Sequence, residues 1–275
     1  MRIAVVQMTS GTAPTANADV LVAAIEDAAN AGAVAIFTPE MSGLLDRDRV
    51  RAALSIKTEK ADAVLPRVCE AAKLHQIWVS LGSLALSGER ADGRFVNRSL
   101  VVDDKGVIRA RYDKLHLFDV NLATGETWRE STAYAPGEIA TICEMPIGKL
   151  GLSICYDVRF PALYAALSQT GADILSIPAA FTVPTGKAHW HCLLRARAIE
   201  NACYVVAAAQ TGTHEDGRTT YGHSLVVDPW GEIILDMGSN TGLGFAEIDP
   251  TRVADVRARI PVLEHRRYIP HVTIT

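Results

Sequence analysis

No apolar run in this 275-residue chain approaches the roughly 20 residues that a membrane-spanning helix needs; Tyr204 to Ala209 is among the longest. A transmembrane span is therefore excluded. Blocks of like charge are also missing, and 27 Lys+Arg against 31 Asp+Glu leave a net charge of −4. That balance offers no basic footprint for a nucleic-acid backbone or an anionic membrane surface. Aromatic residues reach only 6%, too few to suggest a platform for stacked bases. Cys69, Cys143, Cys155, Cys192 and Cys203 are odd in number and contain no CxxC pair, which argues against a disulfide framework and a structural zinc site. The start, MRIAVVQMTS, turns polar after Met8 without a secretory apolar region, so the expected location is a reducing cytoplasm.

What is present is an ordinary globular composition, 49% hydrophobic and 21% charged, which disfavours disorder and fibres and leaves a small-molecule substrate or a protein partner. Periodicity predicts a buried strand at Arg2–Met8, a helix at Pro14–Ala31 and a strand at Ala33–Phe37. It then gives a helix over 61–74, a strand at Ile77–Gly82, and two strands, Phe95–Val102 and Val107–Tyr112, joined by the turn Asp103 to Gly106. After a polar stretch, strands follow at Ile139–Met145 and Leu150–Ile154. A helix at Ala162–Thr170, a strand at Asp173–Ile177, a helix at Ala188–Asn201 and a strand at Tyr204–Ala209 continue the alternation. The last quarter reads as a hairpin, a strand at Gly244–Ile248 and a helix from Pro250.

The two halves echo each other. LVVDDKGVI (Leu100 to Ile108) is repeated as LVVDPWGEI (Leu225 to Ile233), and GAVAIFTPE (Gly32 to Glu40) as GADILSIPAA (Gly171 to Ala180). Shared turn chemistry alone would give the same likeness. If the repetition is structural, two α/β halves stack their sheets with helices outside, a four-layer sandwich around one core. No Pro/Gly/Ser linker separates the halves, so residues 1–275 read as a single domain.

Cys155 is the most informative cysteine, because it follows the apolar run Leu150 to Ile154 and precedes a turn into a helix. Such a turn lifts a side chain out of the sheet at its carboxyl end and leaves backbone N–H groups facing outward. Cys192 and Cys203, within a helix and at a strand start, read as packing residues. A thiol needs a base or a cation beside it. His189 could form a dyad with Cys155, although a packing or helix-start role is its ordinary reading. His189 and His191 flank Trp190 at i and i+2, pointing in different directions, so a shared metal is disfavoured there. Glu40, set off from its strand by Thr38-Pro39, is a second candidate base, and Lys114 follows the strand Val107–Tyr112. Each is unremarkable alone; with Cys155 they are three complementary reactive groups at three strand ends.

At these residues the chain resembles the nitrilase superfamily of carbon–nitrogen hydrolases, on FTPEM (Phe37 to Met41), YDKLHLFDV (Tyr112 to Val120) and GLSICYDVRFP (Gly151 to Pro161). The likeness continues through Thr185 to His214, Tyr221 to Glu232 and Pro261 to Arg267, where it is closest to the deaminated glutathione amidase branch and slightly weaker to the omega-amidase branch. The resemblance implies an α-β-β-α sandwich of two stacked mixed sheets and homodimerisation through outer helices. It also implies a cofactor-free amidase, with neither a metal nor an organic cofactor. It implies Glu40 as general base, Lys114 as the cationic member, Cys155 as nucleophile and Glu130 as the second glutamate beside the lysine. Lys187 stands where the family pattern carries a less bulky residue.

The expected chemistry is attack of a Cys155 thiolate, made accessible by Lys114, on an amide carbon, with Lys114 and the Tyr156 N–H meeting the oxyanion and a thioester left on Cys155. A carboxylate-bearing substrate needs cationic partners, for which Arg159, Arg195 and Arg197 are candidates; the ordinary reading of Arg197 is an i,i+3 pair with Glu200. Phe181, Thr182, Thr185 and His189 are candidate pocket residues. The branch resemblance implies deaminated glutathione as substrate, cut to alpha-ketoglutarate and cysteinylglycine. The alternatives are an omega-amidase acting on short dicarboxylate monoamides, a catalytically idle interaction protein, and a metal hydrolase resting on His189 and His191.

Overall fold

Unbroken apolar runs rich in Ile, Val and Leu set the strands, and the computed structural model describes them over residues 1–88, 90–121, 125 and 127–274. The first half runs β1 (Arg2–Gln7), α1 (Pro14–Asn30), β2 (Ala35–Phe37), α2 (Arg49–Ser55), α3 (Leu65–His75), β3 (Trp78–Ser87), β4 (Phe95–Val102) and β5 (Ile108–Asp113). A small ribbon of β6 (Asp119–Asn121) and β7 (Thr127–Arg129) follows within the polar stretch. The second half runs β8 (Ile142–Met145), β9 (Gly148–Leu152), α4 (Pro161–Gln169), β10 (Ile174–Ser176), α5 (Val183–Asn201) and β11 (Tyr204–Ala207). A ribbon of β12 (Thr211–Thr213) and β13 (Thr219–Tyr221) precedes β14 (Leu225–Val227), β15 (Ile233–Asp236), β16 (Gly242–Glu247) and α6 (Pro250–Arg259).

Two six-stranded sheets result, ordered β16-β1-β2-β3-β4-β5 and β15-β14-β11-β10-β9-β8. Each has three central parallel strands, an antiparallel strand on one side and an antiparallel pair on the other. The sequence echo is thus structural. Asp103 Oδ1 accepts from the N–H groups of Lys105 and Val107 in the β4–β5 turn, and Asp228 Oδ1 does the same for Trp230 and Glu232 in the β14–β15 turn. Gly106 and Gly231 occupy the left-handed position of these turns, at φ 76° and 90°. Identical turn chemistry on equivalent strand pairs means that one half restates the other.

Alternation decides which side each residue faces. Ile3, Val5, Ala35, Phe37 and Val101 join Leu150, Leu152, Ile174 and Val205 in one core that includes residues of both sheets. Ala4, Val6, Ile36, Leu100 and Val102 point the other way, onto α1 and α3. Helices α4 and α5 pack on the second sheet, completing the four layers of an α-β-β-α sandwich. No described helix is long and apolar enough to cross a membrane.

Several boundaries differ from the periodicity reading, and proline explains two of them. The expected helix over 61–74 begins at Leu65, with Pro66 in its first turn and Asp62 accepting from the N–H groups of Val64 and Leu65. The helix expected at Ala188 begins at Val183, with Pro184 in its first turn. It therefore takes in Thr185, which the apolar pattern alone left in a loop. The strand expected from Ile139 starts at Ile142, and α2, too short to show a period, had no sequence signal.

Candidate active site

Three loops at the carboxyl ends of strands bring the reactive groups together. Glu40 follows β2 and is held by the N–H of Ala180 on Oε2 at 2.9 Å, while Gln210 Nε2 donates to the Glu40 carbonyl at 3.0 Å. Lys114 follows β5 directly, and its backbone N–H donates to the carbonyl of Asn97 at 2.9 Å. Cys155 opens a short 3-10 turn, Cys155–Arg159, with φ of +48°, a left-handed conformation that costs a non-glycine residue about 1–3 kcal/mol. The turn is over-determined. Cys155 N–H donates to Pro178 O at 2.8 Å, and the buried Asp157 accepts from Ile154 N–H at 2.8 Å, from His116 N–H at 3.0 Å and from the Tyr112 hydroxyl at 2.7 Å.

The side chains form one buried cluster. Lys114 Nζ lies 2.8 Å from Glu40 Oε1 and 3.0 Å from Glu130 Oε2, and Cys155 lines the same cavity as these three. Glu130 is fixed in turn by the Phe118 N–H, 2.7 Å from Oε2. Asn97 Nδ2 donates to both carboxylates, to Glu40 at 2.9 Å and to Glu130 at 3.2 Å. Asn97 was not foreseen; its only signal is a polar residue at an inward position of the apolar strand FVNRSLVV.

Two carboxylates and one ammonium give the cluster a formal charge of −1 before the thiol ionises. Burial alone would raise the Glu40 carboxyl, but the Lys114 charge and the hydrogen bonds from Lys114 and Asn97 hold it below its ordinary value. Burial acts against the Lys114 ammonium, yet the charges of Glu130 and Glu40 hold it well above its ordinary value. Burial and then the Glu40 charge push the Cys155 thiol well above its ordinary value, more than Lys114 lowers it. Lys114 thus lowers the cost of the thiolate, but does not by itself outweigh burial and the Glu40 charge. These shifts favour a neutral thiol beside an ionised Glu40, because the lysine charge is already shared between two carboxylates.

These groups open onto a cavity of about 420 Å³. Tyr156, Phe181, Thr182 and Thr185 line it. Arg159 and His189 do not; they contact each other at 3.3 Å, with the Arg159 guanidinium over the Phe181 ring. His189 thus forms no dyad with Cys155. Arg195 donates to Gly231 O, and Arg197 to Val158 O and, at 2.6 Å, to Glu200, so both are structural. Besides Lys114, the cationic wall residues are Arg47, Arg49, Arg129 and Arg218, which carry no periodic signal because they lie in loops, in a short ribbon and at the start of the short helix α2.

The sequence profile of the carbon–nitrogen hydrolase family matches residues 2–258. The chain belongs to that family. This carbon–nitrogen hydrolase is 41% identical to the deaminated glutathione amidase of Synechocystis over 268 residues, 97% of this chain and 98% of the relative. Its fold matches the crystal structure of the Caenorhabditis elegans NitFhit protein with a TM-score of 0.89 and 42% identity, covering 97% of this chain and 65% of that longer one. It also matches an amidase mutant from Nesterenkonia sp. AN1 at a TM-score of 0.78 and 27% identity, covering 95% and 98% of the two chains. In that structure acrylamide has added to the active-site cysteine. This carbon–nitrogen hydrolase is accordingly an enzyme that acts on amides.

Proposed function

We propose that the enzyme hydrolyses a carboxylate-bearing linear amide through a thioester on Cys155, with deaminated glutathione as the substrate. The observation that carries the chemistry is one cavity lined by Cys155 and by Glu40, whose carboxylate is clamped by Lys114 at 2.8 Å. As the sulfur bonds to the amide carbon, Glu40 takes the thiol proton, so the thiolate never accumulates. The carbonyl oxygen becomes an oxyanion, met by the Lys114 ammonium and the Tyr156 N–H; one such donor is worth roughly 2.7–4 kcal/mol in transition states of this kind. The C–N bond then breaks, Glu40 returns the proton to the departing nitrogen, and the amine leaves. Water, deprotonated by Glu40, attacks the thioester and releases the acid and the free thiol. Glu130 and Asn97 position Lys114 and Glu40 and take no proton in this scheme.

The name of the Synechocystis relative and the shape of the cavity support the substrate. A volume of about 420 Å³ lies within the range of roughly 300–1,000 Å³ that encloses drug-sized ligands, which suits a tripeptide-sized molecule. Arginines in the wall suit its carboxylates. A short dicarboxylate monoamide is the second reading, favoured by the same arginines. The test is release of alpha-ketoglutarate from deaminated glutathione and from alpha-ketoglutaramate, by the native enzyme and by Cys155→Ala. Higher kcat/KM on the larger substrate, abolished in Cys155→Ala, is expected. Activity surviving that substitution overturns the mechanism, and preference for the smaller amide overturns the substrate.

A further inference from the structure

Outside the catalytic cavity, three segments bring two imidazoles and a carboxylate together. His191 Nε2, from α5, lies 3.0 Å from Asp236 Oδ2 at the end of β15. His223 Nδ1, just ahead of β14, lies 2.9 Å from Asp236 Oδ1. One donor atom from each residue falls within 4.8 Å of the others, and none of the three lines the cavity. We infer that His191, His223 and Asp236 form a binding site for a divalent transition-metal cation of borderline softness, of which Zn²⁺ is the representative.

The donor set selects the class. Two imidazoles and one carboxylate suit zinc, cobalt or nickel, whereas calcium and magnesium need shells of oxygen. The two histidine-to-aspartate spacings, 3.0 and 2.9 Å, agree, because with metal–ligand bonds of about 2.0–2.1 Å neighbouring donors stand roughly 2.9–3.4 Å apart; the two imidazoles, within 4.8 Å of each other, draw together on the ion. Side-chain exposures of 33% for His191, 27% for His223 and 33% for Asp236 leave room for water to complete the shell.

The donors are also held in advance. His223 has a left-handed backbone, φ +54°, fixed by its N–H donating to Gly238 O at 2.6 Å and its carbonyl accepting from Trp190 Nε1 at 2.7 Å. Its ring stacks on Tyr221 at 4.5 Å. Asp236 Oδ1 receives the Gly238 N–H at 2.9 Å, and His191 follows the fully buried Trp190 on the helix. A histidine kept in a strained conformation with its ring packed against a tyrosine loses little freedom when it ligates. Sequence spacing disfavours a metal shared by His191 and His189, and the fold sets His191 beside His223 and Asp236 instead. A bound ion ties α5 to the β14–β15 hairpin, and it supplies no step of the hydrolysis.

The test uses the full-length chain, freed of metal with a chelator. Zn²⁺ titration by calorimetry, and Co²⁺ titration by visible absorption, should show one ion per chain and a raised Tm. Because the exposed Cys192 thiol adjoins His191 and Cys155 is a thiol too, both titrations are repeated in Cys155→Ala/Cys192→Ser, where binding persists. His191→Ala and the hydrogen-bonding Asp236→Asn each weaken binding by about 10–100-fold. Both retain the amidase activity of the chelated enzyme. Affinity unchanged in both variants, loss of binding in the double cysteine variant, or no binding up to about 1 mM Zn²⁺ overturns the proposal.

Discussion

The Tyr112 hydroxyl donates to Asp157 across 2.7 Å, joining residues 45 positions apart. Tyr112 lies two residues before Lys114 and Asp157 two residues after Cys155, so one buried hydrogen bond sets the lysine strand against the cysteine turn. Both side chains are almost wholly buried, and Asp157 raises the Tyr112 hydroxyl, after burial itself, far above its ordinary value.

Tyr112→Phe should therefore cost stability and activity together. Removing one donor from a buried carboxylate costs about 1–3 kcal/mol, read as a lower urea midpoint at unchanged slope. Because the turn carrying Cys155 loses a restraint, kcat should fall further than the loss of folded protein explains. A change within about 0.5 kcal/mol with unaltered kcat would show that Asp157 is held well enough by its other donors.

The upward shift of the Cys155 thiol gives a spectroscopic prediction. The difference in thiolate absorbance between native enzyme and Cys155→Ala should show no step at neutral pH and should rise only above the ordinary thiol value of 9.0. In stability the sign follows from linkage. The unfolded thiol ionises first, so the native enzyme loses stability relative to Cys155→Ala as pH climbs past 9.0, at up to about 1.4 kcal/mol per pH unit. A thiolate step below neutrality would contradict the charge count of the cluster.

Gly82, on β3, lies under the loops that carry the site. A Cβ there would stand 1.9 Å from Thr38 O, 2.5 Å from Pro39 O and 2.7 Å from Pro178 Cβ. Two of these atoms belong to the backbone leading into Glu40, and Pro178 supplies the carbonyl that holds Cys155. Gly82→Ala should destabilise the chain by roughly 1–3 kcal/mol and lower kcat beyond the folded fraction, measured by urea unfolding and steady-state rates on the same preparations. Native stability in Gly82→Ala would mean that the loops yield freely.

Much of this was legible from residues alone. The strands and longer helices follow apolar periodicity, and the turn residues Asp103–Gly106 and Asp228–Gly231 announce a repeat that the sheets bear out. Glu40, Lys114 and Cys155 stood out as reactive types at strand ends, and the fold gathers them into one cluster. Asn97, the wall arginines and the partners of His191 were not visible, since each depends on contacts between segments far apart in sequence.

Local sequence determined the elements, because side-chain period and turn chemistry act over a few residues. It also determined the reactive types available to the site. Only the tertiary structure decided the direction in which the Cys155 thiol is shifted and the assignment of arginines to the cavity. Both depend on how many charges are buried together, and that number is set by the stacking of two sheets rather than by any stretch of chain.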